Sequence, residues 1–413
     1  MARYKVFTIN KYNIREIVLV FVLMCHLVFM YPSVLPFFLP IPSVSILTGG
    51  FIILYSFFLF SYRTISLPCK SLNSCFIIQL ITWLVLCIIS RDSVYITRIV
   101  FLLNAFLAMI CIWNTKESYR KFENTYITFI AILGIGGVIA FFLVLFNMIT
   151  PLFTYENLDG RIGYFYGFTC TNAQLANVIR YSGVFDEPGA MAFWGMIALV
   201  INQFSIQNKK LERIIIICLI FTFSMAYYIQ IFFYIIFFKI KSFKGLLWMV
   251  SILLIAISAI RLTKDSEFDL YTPTVMRFEI GDDGELNGDT RSDSSKIAKI
   301  YFIDSPIIGN GPSITTKGEY MADNPFENLA TDGILGTFVM YIPLILLLYP
   351  YNRQIYLGLF IIMLGYLQRP FHQNFMHAFI LYFLSYIFLQ YKISSAIKNE
   401  KRESQNICRY SLL

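Results

Sequence analysis

The feature that most constrains this chain is a succession of long apolar runs separated by short charged segments. A helix that crosses the hydrocarbon core of a bilayer needs about 20 apolar residues, and most of these runs reach that length. With 57% hydrophobic and 14% charged residues among 413, the chain carries more apolar surface than a globular protein can bury. The sequence therefore predicts a polytopic, all-α membrane protein, and it excludes a soluble globular enzyme, a disordered chain and a disulfide-rich secreted domain.

We predict about twelve transmembrane helices in a single integral membrane domain that covers residues 1–413. The apolar block 211–241 is divided into two short helices at the turn Thr222-Phe-Ser224, and residues 354–368 form a further short span. The other predicted spans are residues 17–39, 44–62, 74–90, 93–114, 126–149, 189–206, 245–261, 327–349 and 374–391.

The distribution of charge along the chain predicts its orientation. If the N-terminus is cytoplasmic, the inner segments hold 21 Lys and Arg residues and the outer segments hold 11, whereas 19 of the 25 carboxylates lie outside. Short cytoplasmic segments rich in Lys and Arg set the orientation of membrane proteins. We therefore expect both termini in the cytoplasm, and we attribute the net charge of +8 to this bias and not to nucleic-acid binding.

Two segments are long enough to build a site outside the membrane, namely the predicted external loops 150–188 and 262–326. The second loop carries 12 carboxylates against 6 Lys and Arg residues. Residues 293–303 within it have the pattern of a short amphipathic helix, with Ile297, Ile300 and Tyr301 on one side. The acidic run 282–289 lacks EF-hand spacing, so we expect a solvated loop there and no metal site.

The segment Arg180-Tyr-Ser-Gly-Val-Phe-Asp-Glu-Pro-Gly189 ends the first external loop. Pro188 suits the first position of a helix, because its missing N–H and its fixed φ cost nothing there. Asp186 and Glu187 then lie at the positive end of that helix, which favours their ionised forms. Two interpretations remain open. The carboxylates cap the helix, or one of them accepts a hydroxyl proton from a substrate whose anionic group binds Arg180.

Four motifs in this order resemble the O-antigen and capsule repeat-unit polymerases. The topology and the placement of the two loops are similar to that family, whose architecture resembles metal-independent membrane glycosyltransferases, including the O-antigen ligases. The motifs are Arg180 with Gly183-Val-Phe-Asp-Glu-Pro-Gly189, the turn Phe221-Thr-Phe-Ser-Met-Ala-Tyr-Tyr228, the segment Asp304-Ser-Pro-Ile-Ile-Gly-Asn-Gly311 with Arg291 upstream, and Glu327-Asn328 at the start of the next helix.

The resemblance implies an activity and a place in the cell. Such polymerases transfer a growing glycan from its polyprenyl pyrophosphate carrier onto the non-reducing end of a new lipid-linked repeat unit. The resemblance therefore implies a metal-independent glycosyltransferase at the outer face of the bacterial cytoplasmic (inner) membrane, with no cofactor. The expected partners are polyprenyl-pyrophosphate-linked oligosaccharides, membrane lipids and a separate chain-length regulator protein.

This activity selects the residues that can carry the chemistry. A pyrophosphate leaving group needs fixed cations, and an acceptor hydroxyl needs a carboxylate base, so Arg180, Asp186 and Glu187 are the candidate catalytic residues. Arg161 and Arg291 lie in the two external loops, where each either binds phosphate or acidic sugar or remains solvated.

Polar residues near the outer ends of the predicted helices are further candidates for substrate binding. Arg369 and His372 lie in a polar outer turn, where they either face the same vestibule or anchor the turn at the interface. Tyr228 has a ring that can stack on a sugar, and Asn310 belongs to one of the motifs that resemble the polymerases.

Two charged residues fall within predicted helices. Arg98 is about five residues inside its helix and either serves function or extends to the interface. Asp332 lies a turn or two inside another helix, and a carboxylate at that depth needs a partner.

Two alternative functions share much of this description. An O-antigen ligase passes the glycan to a lipid A core, but ligases resemble this chain less because their second external loop supplies a functional histidine, and residues 262–326 contain none. A flippase or other transporter of the same lipid-linked unit would have short loops and two matching halves, and the sequence shows no internal repeat.

Overall fold

A computed structural model of the chain describes residues 11–29, 33–35, 44–62, 70–156, 161–175, 178–266, 269–281, 286–287, 292–317, 324–349, 351–369 and 374–410. Each of the twelve predicted spans overlaps a helix of this structure. The helices are α1 Lys11–Val28, α2 Val44–Tyr62, α3 Lys70–Ser90, α4 Val94–Trp113, α5 Lys116–Leu145, α6 Pro188–Ile201, α7 Lys209–Ile220, α8 Met225–Phe238, α9 Phe243–Arg261, α10 Ser292–Asp304, α11 Ile314–Lys317, α12 Glu327–Met340, α13 Ile342–Ile345, α14 Arg353–Gln368 and α15 Phe375–Tyr410.

Seven helical segments of the described residues are long and apolar enough to cross a membrane, which supports a helical, multi-pass membrane protein. Shorter apolar helices lie at Glu16–Val28, Leu47–Phe58, Met225–Phe238 and Arg353–Leu367. The total of twelve crossings and the orientation stay predictions. The seven long segments are Lys70–Ser90, Val94–Trp113, Ser118–Leu145, Pro188–Ile206, Phe243–Arg261, Glu327–Leu348 and Phe375–Ile397.

Helices of similar apolar character occupy very different places in the bundle. All the residues of α6 from Ala190 to Ile201 are buried, whereas α9 has no buried residue among its described side chains. Small residues allow α6 its central position, since a Cβ added at Gly195 would lie 2.3 Å from a methyl carbon of Leu219. The N-terminus of α6 is therefore held rigidly, and it carries the candidate site described below.

Segment 150–188, the predicted first external loop, contains short β-strands that the sequence analysis did not predict, within an otherwise helical protein. β1 Phe153–Glu156, β2 Ile162–Phe165 and β3 Cys170–Thr171 form an antiparallel sheet, and β4 Gln174–Leu175 pairs with β5 Val178–Ile179. Aromatic and β-branched residues recur in these strands and favour extended backbone. Two candidate arginines lie next to these strands, because Arg161 directly precedes β2 and Arg180 directly follows β5.

Segment 262–326, the predicted second external loop, contains the helix predicted over 293–303, which the structure extends to Ser292–Asp304. Its buried side is different from the predicted one. Ala298 is fully buried and Ile297 and Tyr301 pack beside it, but Ile300 is exposed. The loop therefore docks through a small residue that permits close approach to α12.

The helix predicted over 327–349 is discontinuous. It is interrupted at Gly333, which has a φ of 64°, and again before α13. The loop segment 306–311 crosses the first break, where the amides of Asn310 and Gly311 donate to Ala330 and Thr331 at 3.0 and 2.8 Å. A break in an apolar helix is tolerated when other groups satisfy the freed backbone, and segment 306–311 does so here.

The last helix is longer than the predicted span 374–391. α15 continues from Phe375 to Tyr410, well into the charged C-terminal segment. Hydropathy locates the apolar part of such a helix but not its end, because Lys, Glu and Gln are also good helix formers.

Candidate functional site

Contacts between distant segments gather both long loops at one end of the helix bundle. The backbone amide and hydroxyl of Ser313 both donate to Asp92 at 2.6 Å, which ties the second loop to the turn between α3 and α4. Arg277 donates from Nη1 to the carbonyl of Phe223 at 3.2 Å, which ties the same loop to the turn between α7 and α8. These segments are the ones whose charges predict an external location.

Glu187 occupies the N-cap position of α6. Its backbone is extended, its carbonyl accepts a hydrogen bond from the amide of Ala190 at 3.0 Å, and Pro188 takes the first helical position as predicted. The side chain makes no capping hydrogen bond. Instead, one carboxylate oxygen pairs with Arg369 and the other lies 3.3 Å from Nη2 of Arg161. Helix capping therefore does not explain the contacts of the Glu187 carboxylate, which are with two arginines.

Arg369 reaches this carboxylate from the C-terminal end of α14. Its side chain is only 1% exposed, so it does not anchor the turn at the membrane interface. The guanidinium group lies against the first turn of α6, where a Cβ added at Gly189 would be 3.1 Å from both Nε and Nη2. The glycine after Pro188 thus leaves the space that the guanidinium group occupies.

Arg161 and Arg180 approach from the β-strands of the first loop. The Arg161 side chain is 52% exposed and extends from solvent to Glu187. The backbone of Arg180 is fixed by two hydrogen bonds, from its amide to the carbonyl of Ala173 at 3.0 Å and from the hydroxyl of Thr171 to its carbonyl at 2.7 Å. Both guanidinium groups are therefore held by ordered backbone.

Arg180 is the most strongly perturbed of these groups. The pKa of Arg180 is lowered to about 9, mainly by burial and in part by the nearby cations Arg277, Arg161 and Arg369, while Tyr228 opposes this shift. A cation in that position is stabilised by an added anion, because the anion replaces lost hydration and offsets the mutual repulsion.

The sequence did not single out Arg277. It lies in a short 3₁₀ helix, Met276–Phe278, beside Tyr228 and Arg180. The ring of Phe278 lies 6.5 Å from that of Tyr228, but Met276 and Phe278 are both exposed, so no local pattern in the sequence indicates where Arg277 docks. We name Arg161, Arg180, Arg277 and Arg369 the arginine cluster.

The arginine cluster has an excess of positive charge. Among the described residues, its four guanidinium groups face one carboxylate that pairs with two of them, Glu187. Guanidinium groups present paired N–H donors that match the oxygens of phosphate and carboxylate. The cluster is therefore suited to bind a multiply charged anion, with a carboxylate close enough to accept a proton.

Two other predicted residues lie near the arginine cluster without pairing with it in the contacts described. Asp186, the second candidate base, faces Tyr155, whose pKa rises mainly through burial and partly through the Asp186 charge. Tyr228 donates its hydroxyl to the carbonyl of Ile220 at 2.9 Å, which fixes its ring beside Arg180. Glu187 is the carboxylate whose ion pairs with two of the four arginines are described, so the site is built around it.

Arg98 and Asn310 are engaged elsewhere. Arg98 forms a 2.5 Å ion pair with Asp332, which supplies the partner that a carboxylate inside a helix requires. The side-chain amide of Asn310 donates to the carbonyls of Tyr301 and Ala330 at 2.6 and 3.2 Å, so it holds the loop in the break of α12. Both residues therefore have structural contacts that explain them without a substrate.

The remaining candidates, Arg291 and His372, lie outside the described residues, as does most of the acidic run 282–289. Within the part of the chain that is described, no three His, Cys, Asp or Glu side chains come together as potential metal ligands. No family model, curated protein or solved structure matches the chain.

Proposed function

We propose that this protein is a membrane glycosyltransferase that polymerises polyprenyl-pyrophosphate-linked oligosaccharide repeat units into O-antigen or capsular polysaccharide. The observation that carries the proposal is the arginine cluster around Glu187, at the end of the bundle that holds both long loops. The charge distribution predicts that this end lies outside the bacterial cytoplasmic membrane.

The arginine cluster would bind the pyrophosphate of the donor lipid. Before binding, Arg161 and Arg369 pair with the carboxylate of Glu187. A pyrophosphate carries more negative charge than one carboxylate, so it draws these guanidinium groups to its own oxygens and frees Glu187. The buried charge of Arg180 is then neutralised as well, which favours the bound state.

Glu187 would then accept the proton of the acceptor sugar. In the transfer step, the bond between the anomeric carbon of the donor glycan and the pyrophosphate oxygen breaks, and a bond from that carbon to the acceptor hydroxyl oxygen forms. The hydroxyl proton passes to the Glu187 carboxylate, and the arginine cluster holds the departing pyrophosphate. Tyr228 borders this space and offers a ring face for a sugar.

The decisive experiment uses a strain that lacks the gene and displays the length distribution of its surface glycan on a gel. The wild-type protein should restore long chains, whereas Arg180→Gln should reduce long-chain glycan by at least about 30-fold, as expected when a buried charged contact is lost. Arg180→Lys should also be impaired, because a lysine cannot make a bidentate pair with phosphate.

Lys296→Gln provides the matched control, since it removes one positive charge from an exposed residue of α10 that forms an ion pair with its neighbour Asp293. It should leave the ladder unchanged. A normal ladder from Arg180→Gln would exclude the proposed site. A deletion strain with no repeat unit on its core would indicate a ligase or a flippase, because loss of a polymerase leaves one unit there.

A further inference from the structure

A second cation-rich cavity lies at the opposite end of the bundle. It has a volume of about 610 Å³. The 14 residues of α6, Pro188–Ile201, separate this cavity from Glu187, which corresponds to about 21 Å. Its described lining is Asn202, Gln203, Gln207, Lys209, Glu212, Arg213, Ile216, Phe238, Lys239 and Lys241.

The polar side of this cavity is built by an irregular turn. The π-helix Asn202–Ile206 ends at Gln207, which has a left-handed backbone (φ 57°) and donates its amide to the carbonyl of Asn202 at 2.7 Å. The buried side-chain oxygen of Asn202 accepts the amide of Asn208 at 2.9 Å, so the turn is held from within. Such π-turns occur frequently at functional sites.

The cations of the cavity exceed its carboxylates. Glu212 is buried and is bound by Lys239 and by the hydroxyl of Tyr234. Lys239 also donates to the side-chain oxygen of Gln203 at 3.0 Å. Beyond this bound pair, the described lining contributes three exposed cations from two chain segments, namely Lys209, Arg213 and Lys241.

We propose that this cavity binds the phosphate group of an anionic phospholipid. Cations from two different helix ends converge on one space, as a phosphate requires, and Arg213 supplies a fork for its oxygens. The acyl chains have a place beside it, because Ile217 and Ile220 expose apolar surface along α7 and Ile216 and Phe238 line the cavity. The positive-inside distribution assigns this end to the cytoplasmic leaflet, and basic pockets between helices there bind anionic headgroups.

Native mass spectrometry of the purified full-length protein with defined lipids tests this proposal. Cardiolipin and phosphatidylglycerol should be retained in preference to phosphatidylcholine. The double variant Arg213→Gln/Lys241→Gln should weaken their retention by roughly 30-fold, since each cation near an anionic headgroup contributes a several-fold gain. Inorganic phosphate at millimolar concentration should not displace the lipid, because the acyl chains contribute part of the binding.

Lys210→Gln/Lys244→Gln is the matched control. These two exposed lysines lie close in sequence to Arg213 and Lys241, in the first turns of α7 and α9, but neither belongs to the described lining of the cavity. Equal loss of lipid in both double variants would mean a diffuse charge effect and would overturn the proposal. Displacement by inorganic phosphate would assign the cavity to a soluble anion, and equal retention of phosphatidylcholine would show that phosphate charge is not recognised.

Discussion

Two arginine sites at the same end of the bundle differ in their balance of charge. Arg98 pairs with Asp332, and both are almost completely buried, at 3% and 1% exposure. The hydroxyl of Tyr95 donates to the same carboxylate at 2.9 Å, and the rings of Trp83 and Tyr95 cover the guanidinium group within 6 Å. One cation therefore meets one anion and two aromatic ring faces.

The arginine cluster is organised in the opposite way. Among the described contacts, Glu187 pairs with Arg161 and Arg369, and burial together with repulsion from the neighbouring cations lowers the pKa of Arg180. A balanced, enclosed pair stabilises a single structure, whereas an unbalanced cluster with an exposed member such as Arg161 gains stability only when an anion arrives. We infer that the first site holds the fold and the second binds a ligand, although sequence alone makes their arginines look equivalent.

We expect the largest loss of stability when the ion pair between Arg98 and Asp332 is broken. Asp332→Asn leaves Arg98 buried without its counter-ion, which should lower the free energy of unfolding by about 3–5 kcal/mol. Fluorescence-detected size-exclusion chromatography during heating measures the change. The double variant Arg98→Met/Asp332→Leu should recover part of this loss, because it removes both charges and retains apolar volume. A stable single variant would show that the pair does not hold the fold.

A smaller effect, stabilisation by pyrophosphate, should distinguish the arginine cluster from the pair of Arg98 and Asp332. Pyrophosphate at about one hundred times its dissociation constant should stabilise the wild-type protein by about 2.7 kcal/mol. Arg180→Gln should lose this increment but unfold no earlier than wild type without ligand, because it removes one of several repelling cations. Thermal unfolding with and without pyrophosphate measures both quantities. Equal stabilisation of wild type and Arg180→Gln would place the anion elsewhere.

The sequence predicted the parts of this arrangement that depend on local rules. Pro188 marked the start of α6 and thereby identified Glu187, because the preference of proline for the first helical turn acts within a few residues. The apolar runs located the helices for the same reason, since each run buries its surface in lipid or protein along its own length. The Arg180–Gly189 segment therefore could be found without a structure.

The remaining parts depend on contacts between segments far apart in the chain. Arg369 and Arg277 meet Arg180 only because α14 and the second loop pack near the start of α6. The break at Gly333 is stable because segment 306–311 supplies its hydrogen bonds, which no local pattern reveals. For the same reason, Arg98 was indistinguishable in the sequence from a substrate-binding arginine until Asp332 was seen beside it.

The smallest predicted effect is that of Gly189→Ala, which should displace the Arg369 side chain without destabilising α6. In Gly189→Ala, the new Cβ would lie 3.1 Å from Nε and Nη2 of Arg369, so the guanidinium group must move away by a few tenths of an ångström. Alanine is also a better helix former than glycine by about 1 kcal/mol, so the protein should unfold no earlier than wild type. Glycan polymerisation should nevertheless fall by roughly fivefold, since small displacements in a binding site are costly.

Gly50→Ala in α2 is the matched control, because an added Cβ there meets no atom within 4 Å in the part of the chain that the structure describes. It should keep or raise the unfolding temperature and leave the glycan ladder unchanged. If Gly189→Ala behaved identically to Gly50→Ala, the contact between Arg369 and the start of α6 would not matter for transfer. If both variants lost activity, the cause would be helix rigidity and not the placement of a guanidinium group. A loss of polymerisation in Gly189→Ala but not in Gly50→Ala would show that the position of the Arg369 guanidinium group in the arginine cluster matters for transfer.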